Sequence, residues 1–313
     1  MSRVDLLPSK GHFYKANLHC HSTLSDGRYT PEQLKALYLQ HGYQIIAFSD
    51  HNRLVPHPEL KEEGFLPLNA VEIDISREGD PKGGRRTYHL NFYAREETRS
   101  EFVPFCREYK VQFINELIAR ANEAGFLVQY NHPRWSLQDA RDYLPLEGLW
   151  GFEVFNTGCE VEMLNGWGDE EFVQMLRAGR RLAPVATDDN HNRFGEEDPC
   201  CDSFGGFTMI KAPELTYDAI WSALEKKDCY ASNGPLIRQL YIENGRVYLE
   251  TSPAAVLMMR TETRHTEIRR AFGETLTQAA FPLDRNPEYI RFEVADARGR
   301  KAMTRAYERA EWQ

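Results

Sequence analysis

Over about 200 residues, short apolar runs alternate with longer segments whose apolar positions recur at helical spacing, the signature of alternating strands and helices. The apolar runs at 16–19, 43–48, 66–73, 88–93, 126–130, 149–155, 182–186 and 207–210 predict buried strands. Helices are predicted between them, beginning with Thr30-Pro31-Glu32-Gln33. There Thr30 suits the N-cap, Pro31 the first helical position, and Gln33 completes a capping box. Leu34, Leu37 and Tyr38 form that helix's apolar stripe, and Gly42 suits the residue just past its end. Further helices are predicted over 100–123, 170–178 and 217–226. The polar, glycine-rich stretch 77–87 reads as a hairpin or loop instead of a crossover helix.

Past Gly234-Pro235 the pattern changes. Residues 239–243, Asn244-Gly245 and 246–251 predict a β-hairpin closed by a type I′ turn, and 256–261 and 289–294 predict further strands. The chain is therefore expected to divide into an α/β barrel or sheet over 1–234 and a small β-rich, sandwich-like appendage over 235–313.

Composition narrows the class. With 42% hydrophobic and 27% charged residues the chain is globular. It has no apolar run long enough for a membrane helix and no secretory signal at its start, so a cytoplasmic, membrane-free protein is expected. A net charge of −9 speaks against a nucleic-acid polymer as partner, although a local basic pocket could hold one phosphate. The six cysteines include no C-x-x-C pair and are too sparse for a disulfide framework. Cys20 stands between two histidines but on a strand would face away from both, as a buried thiol.

Six of the ten histidines carry the chemical signal: His19, His21, His51, His89, His132 and His191 fall at or just beyond predicted strand ends, each near a carboxylate or another histidine. In barrels and open α/β sheets, sites form at the C-terminal mouths of strands. His19 and His21, and likewise Asp189 and His191, are spaced i, i+2, which turns both side chains to one face of an extended chain. Glu72, among apolar residues in a strand, requires a cation or hydrogen-bond partners. Imidazoles with carboxylates suit Zn²⁺, Mn²⁺ or Fe²⁺, and so many ligands exceed the needs of one ion. His12, His41, His57 and His265 read as ordinary surface or structural residues. Asp188, Asp50 and Asp74 read as supporting or surface groups.

The segments His19-Cys20-His21-Ser22-Thr23-Leu24-Ser25-Asp26-Gly27, Phe48-Ser49-Asp50-His51-Asn52, the Glu72 strand, Tyr88-His89-Leu90, Asn131-His132-Pro133 and Asp188-Asp189-Asn190-His191 together resemble the polymerase and histidinol phosphatase (PHP) family, in that family's order, over roughly residues 14–235. The resemblance implies a distorted (β/α)7 barrel with a two- or three-metal centre. In it His19, His21, Glu72 and Asp189 would hold one ion. Glu72, bridging, would hold a second with His89 and His132, and Asp26, His51 and His191 a third. It further implies a phosphoesterase acting on a small phosphorylated metabolite or nucleotide, in which a water bridging two ions is acidified to hydroxide and attacks in line. Arg134, Arg53 and Arg193 are candidate phosphate contacts, Arg134 first because it directly follows a ligand motif. His191 or a metal-bound water would protonate the leaving group. The rival expectations are an ester or carbamate hydrolase on the same centre, suggested by the 230–235 passage, and a non-catalytic metal-binding module.

Overall fold

The computed structural model describes residues 3–81 and 84–313. A two-residue strand, β1 (Val4–Asp5), precedes seven strands that form a barrel: β2 (His12–Cys20), β3 (Ile45–Phe48), β4 (Leu66–Ser76), β5 (Thr87–Ala94), β6 (Phe126–Tyr130), β7 (Gly151–Asn156) and β8 (Ala183–Thr187). They pair in that order. The ring is closed where Cys20 bridges Asn190 in parallel and the His21 N–H donates to the Asn190 carbonyl at 3.2 Å. β2, β3 and β4 are mutually parallel, as are β6, β7 and β8. The distortion is β5, which runs antiparallel to both β4 and β6. The stretch 77–87, read from sequence as a hairpin or loop, joins the antiparallel pair β4 and β5; its residues 82 and 83 lie outside the described residues.

Helices α1 (Pro31–Gln40), α2 (Val111–Glu123), the short α3 (Ala140–Tyr143) and α4 (Thr157–Met163), α5 (Asp169–Arg177) and α6 (Tyr217–Lys226) lie in the connections between strands, α2 and α6 joining antiparallel neighbours. The α1 capping box forms as its sequence implies, with Gln33 N–H on the Thr30 hydroxyl. One helix is shorter than expected. Residues 100–110 are irregular, and α2 starts only at Val111. Pro104 cannot supply a helical N–H, and the apolar residues that mimic a helix pattern instead anchor a loop. Phe102 packs edge-on against Phe92 and Phe126, with ring centroids 4.9 and 5.3 Å apart.

β9 (Phe207–Ala212) runs antiparallel along the first half of β2, and β10 (Cys229–Ser232) along β9. Eight strands follow among the described residues: β11 (Ile237–Glu243), β12 (Arg246–Ala254), β13 (Val256–Thr261), β14 (Thr266–Arg270), β15 (Leu276–Pro282), β16 (Tyr289–Ala295), β17 (Lys301–Thr304) and the two-residue β18 (Tyr307–Glu308), which pairs with β16. One sheet is ordered β1-β11-β12-β15. The other, β14-β13-β16-β17, continues through β10 and β9 into the barrel. Leu240, Val247, Leu249, Leu257, Phe281, Phe292 and Val294 share a core with Leu6 and Leu7 from the N-terminal segment. The β11–β12 hairpin pairs Glu243 with Arg246, and Asn244 and Gly245 have φ of 49° and 71°. Two positive φ values are the type I′ geometry, which matches strand twist.

No described helix is long and apolar enough to cross a membrane.

Just before β9, the Gly206 N–H donates to Asp188 at 2.9 Å, and a Cβ on Gly206 would lie 2.2 Å from the Thr187 carbonyl oxygen. Since the obstacle is backbone, Gly206→Ala is expected to destabilise the protein by about 1–3 kcal/mol. A urea unfolding curve unchanged in midpoint would contradict this packing.

Candidate metal centre

β2 ends in the sequence that opens the site. Alternation places His19 and His21 on the interior face and Cys20 on the opposite one, where it is buried with Leu34 and Phe48. β3 delivers His51 just past its end, and β4 carries Glu72 beside it through a parallel His51–Glu72 bridge. His89 is the third residue of β5, near that strand's start and not its end as the sequence pattern implied. Because β5 runs backwards, its start lies at the same mouth. His132 follows β6, and Asp189 and His191 follow β8. Asp189 holds a left-handed φ of 53°, a backbone conformation rare outside glycine that is concentrated at functional sites.

Glu72 is the hub, with a side chain 1% exposed. Its Oε2 lies 3.2 Å from His19 Nε2, 3.3 Å from His21 Nε2 and 3.2 Å from His51 Nδ1. Its Oε1 lies 2.9 Å from His89 Nδ1 and 3.6 Å from His132 Nε2. Asp189 Oδ1 is 3.1 and 3.0 Å from the Nε2 atoms of His19 and His21. Further out, His191 Nε2 is 3.3 Å from Asp26, whose side chain is 48% exposed. Four groups of donor atoms converge within 4.8 Å: His19, His21, Glu72 and Asp189; His51, Glu72 and His89; His19, His132 and Glu153; and His21, Asp26, His51 and His191. The first coincides with one expected set. The others overlap differently from the sequence reading, with His51 also beside Glu72 and His21 also beside Asp26. All nine candidate residues nevertheless meet at one mouth.

The donor set suits cations. Glu72 Oε2, His21 Nδ1 and His51 Nδ1 are buried yet have no hydrogen bond. Such orphaned atoms are costly unless something positive engages them. Without an ion, protons perform that compensation. Burial alone would depress the His21 imidazole, but the Asp189 carboxylate that accepts from its Nε2, together with the adjacent Glu72 carboxylate, raises it to about 10. His19 is likewise buried, and Asp189, Glu72 and Glu153 hold it well above its ordinary value. In turn, burial would raise Glu72, but the surrounding imidazoles, His19 first, hold it well below the usual carboxylate range.

Three neighbours differ from expectation. Glu153, on β7, went unrecognised within an aromatic run that read as core. Its Oε1 lies 2.9 Å from His19 Nδ1 and accepts the Thr187 hydroxyl, while Oε2 accepts the His132 N–H at 3.0 Å and Asn156 Nδ2 at 3.0 Å. The signal that singled out Glu72, a carboxylate inside an apolar strand, was present at Glu153 too. Asp50 supports not His51 but the loop after β2, accepting from the Ser22 N–H and hydroxyl and from Ser25. Arg134 does not enter the cavity: its Nε donates to Glu171 at 2.8 Å, because the acidic first turn of α5 lies closer than the mouth. Arg53 donates to the Leu24 carbonyl. Of the three arginines, Arg193 lines the cavity. Asp188, buried and accepting from Tyr38, Thr157 and the N–H groups of 204–206, braces the loop and is pushed by burial up to about 6.

Above these groups lies a cavity of about 390 Å³ walled by Trp135, Val161, Phe194 and Arg193. Trp135 meets the rings of His89 and His132 edge-on and donates its indole N–H to Glu162.

The sequence profile of the PHP domain matches residues 17–173. A 69-residue segment is 36% identical to a 5′-3′ exoribonuclease of Haemophilus influenzae; it covers 21% of this chain and 25% of that protein, so the chain matches about a quarter of that relative's length. Among solved structures, a two-domain protein from Bacteroides vulgatus containing a predicted PHP-like metal-dependent phosphoesterase superposes with a TM-score of 0.50 at 16% identity, over 94% of this chain and 93% of that one. That likeness concerns the fold.

Two outcomes follow from the electrostatics. Metal uptake by chelator-treated protein at pH 7 should release protons, because His19 and His21 are protonated there and ligation requires neutral imidazole. Calorimetric heats that vary with buffer ionisation enthalpy would register the release, and affinity should fall as pH drops. Glu153→Gln should weaken metal binding by about 10–100-fold, read by chelator competition, since it removes the charge that orients His19.

Proposed function

Since this chain belongs to the PHP domain family, we propose that it is a metal-dependent phosphoesterase that hydrolyses a small phosphorylated metabolite or nucleotide. The reading is carried by the convergence of His19, His21, Glu72 and Asp189, with buried donor atoms left unpaired, on the floor of a substrate-sized cavity. His19, His21, Glu72 and Asp189 would hold one divalent ion; His89 and His132 would hold a second, with Glu72 between them. Asp26, His51 and His191 form an outer set, the most exposed part of the floor, suited to a third. Zn²⁺, Mn²⁺ and Fe²⁺ all match this mixture of imidazole and carboxylate. Bound there, such ions supply Lewis-acid activation of water and neutralise charge on phosphate oxygens.

The chain's own groups perform the rest. Glu153 holds the His19 ring through Nδ1 and the His132 backbone through its N–H, fixing two donors from one carboxylate. Arg193, at the cavity wall with Glu162 3.7 Å away, is placed to pair with a phosphate oxygen. Trp135 and Phe194 give the organic part of a substrate apolar surface and exclude water on that side. His191, whose Nδ1 lies 3.1 Å from the Asp189 carbonyl, faces the outer rim with Nε2 toward Asp26. When the outer set holds no ion, His191 would donate a proton to the departing oxygen. The cavity's size, within the range for small ligands, and the chain's −9 charge both favour a compact substrate over a long polyanion.

The test is a panel of phosphomonoesters, cyclic phosphodiesters and aryl carboxylic esters assayed with Mn²⁺. Phosphate esters should turn over, lose activity on chelation and regain it with Mn²⁺. Turnover of aryl esters alone would replace this reading with an ester hydrolase on the same centre. His19→Ala should lower kcat/KM by about 10³-fold or more with an unchanged circular dichroism spectrum.

A further inference from the structure

A second concentration of charge lies away from the metal centre, where the last turn of α5 meets strands β13 and β16. A cavity of about 80 Å³ there is lined by Arg177, Arg260 and Arg291 together with Thr261, Thr263 and Thr266, and no carboxylate stands on its wall. It opens into a larger groove that shares the three arginines and is flanked by Asp169, Glu170 and Glu293. In a chain with nine excess negative charges, three guanidinium groups facing one small void is an unusual arrangement.

The strand register makes it more so. Arg260 and Arg291 are direct partners on adjacent antiparallel strands, and like charges in that relation repel. Only Glu293 answers them, and with a single oxygen: its Oε1 lies 2.8 Å from Arg260 Nε and 2.5 Å from Arg291 Nη1. The Arg260 contact is off the N–H axis, and that buried Nε has no hydrogen bond. Arg291 is 4% exposed, so its charge is largely withdrawn from water. Arg177 has no carboxylate oxygen within 4.0 Å among the described residues. One carboxylate therefore serves two guanidinium groups, and a third is unserved. Arg177 is exposed and Arg260 partly so, and water screens them; Arg291 is the buried charge of the three, and the one carboxylate it has is shared with Arg260, so an anion in the void would complete the set.

We propose that Arg177, Arg260 and Arg291 form a binding site for a small phosphate-bearing anion at the seam between α5 and the C-terminal sheet. Guanidinium forks match tetrahedral phosphate oxygens, and Thr266 on the wall offers a neutral hydroxyl donor, while Thr261 and Thr263 are tied to each other and to the His265 backbone. The void holds one phosphate group, with the remainder of a ligand lying in the open groove. The site is separate from the catalytic cavity, with which it shares no lining residue.

Inorganic phosphate is the probe. Peptide mass spectrometry after phenylglyoxal treatment should show Arg177 and Arg260 protected by phosphate, in the metal-loaded protein and equally after dialysis against chelator. Calorimetry should give an affinity that Arg177→Gln with Arg260→Gln weakens at least about tenfold, while metal content and hydrolysis by the same variant are unchanged. Protection that vanishes with the metals, or a double variant binding phosphate within about twofold of the unaltered protein, would overturn the proposal. The labelling needs no substitution, so it decides the matter even if the double variant misfolds.

Discussion

A carboxylate sealed in the barrel and ringed by imidazoles is the constraint that organises this molecule. Glu72 has five histidine nitrogens within 3.6 Å, drawn from the ends of β2 and β3, the start of β5 and the loop after β6. An unpaired charge at that depth would cost several kcal/mol. The barrel can therefore close only if its strand ends bring positive charge to Glu72, as protons on histidine or as cations. Those donors come from segments far apart in sequence, so the site exists only once the ring has closed through Cys20 and Asn190. Folding and the chemistry of the mouth are the same electrostatic problem.

Support for Glu72 extends inward as well as outward. Asn131 donates to its Oε1 at 2.9 Å, Gln129 donates to Asn131, and Tyr93 donates to Gln129. Asn91 accepts from Asn131 and donates to the Leu18 carbonyl. A parallel barrel is ordinarily filled with branched apolar side chains; here part of the interior is a chain of buried amides. Each member is satisfied, which makes such a network rigid instead of costly. It fixes the Glu72 rotamer from below while the histidines hold it from above, a rigidity suited to a carboxylate that would hold metal.

Much of this was readable from sequence because local rules coincide with tertiary ones. The His19/His21 pair, the α1 capping box and the Asn244-Gly245 turn are each set by spacing within a few residues, and each forms as expected. Reading failed where a residue's partner is distant. Arg134 was ranked by its nearness in sequence to His132, but the carboxylates that capture it sit 36 and 37 positions later on α5. Glu153 bears the same local mark as Glu72, a carboxylate inside an apolar strand, but its purpose is set at a distance: only the approach of β2 gives it His19. The overlong prediction for α2 has the same origin, since Phe102 and Phe105 have helical spacing, but Phe102 obeys contacts with the distant rings of Phe92 and Phe126 and Phe105 packs on Phe102.

The relation between barrel and C-terminal strands follows from two connections of different kinds. One is backbone: β2, β9, β10, β17 and β16 are neighbours in one hydrogen-bonded sheet, so the C-terminal region continues the barrel wall instead of hanging from a linker. The other is α5. Its first turn holds Arg134, two residues beyond His132, through Glu171, and Asp169 in the same turn takes Lys301 of β17 at 3.1 Å. Its last turn supplies Arg177 to the arginine-lined void. Nine helical residues span about 13 Å, short enough to move as one rod. The loop carrying His132 and the charged seam of the C-terminal sheet thus meet on one helix, and Arg134 itself lines the groove beside Arg177, Arg260 and Arg291.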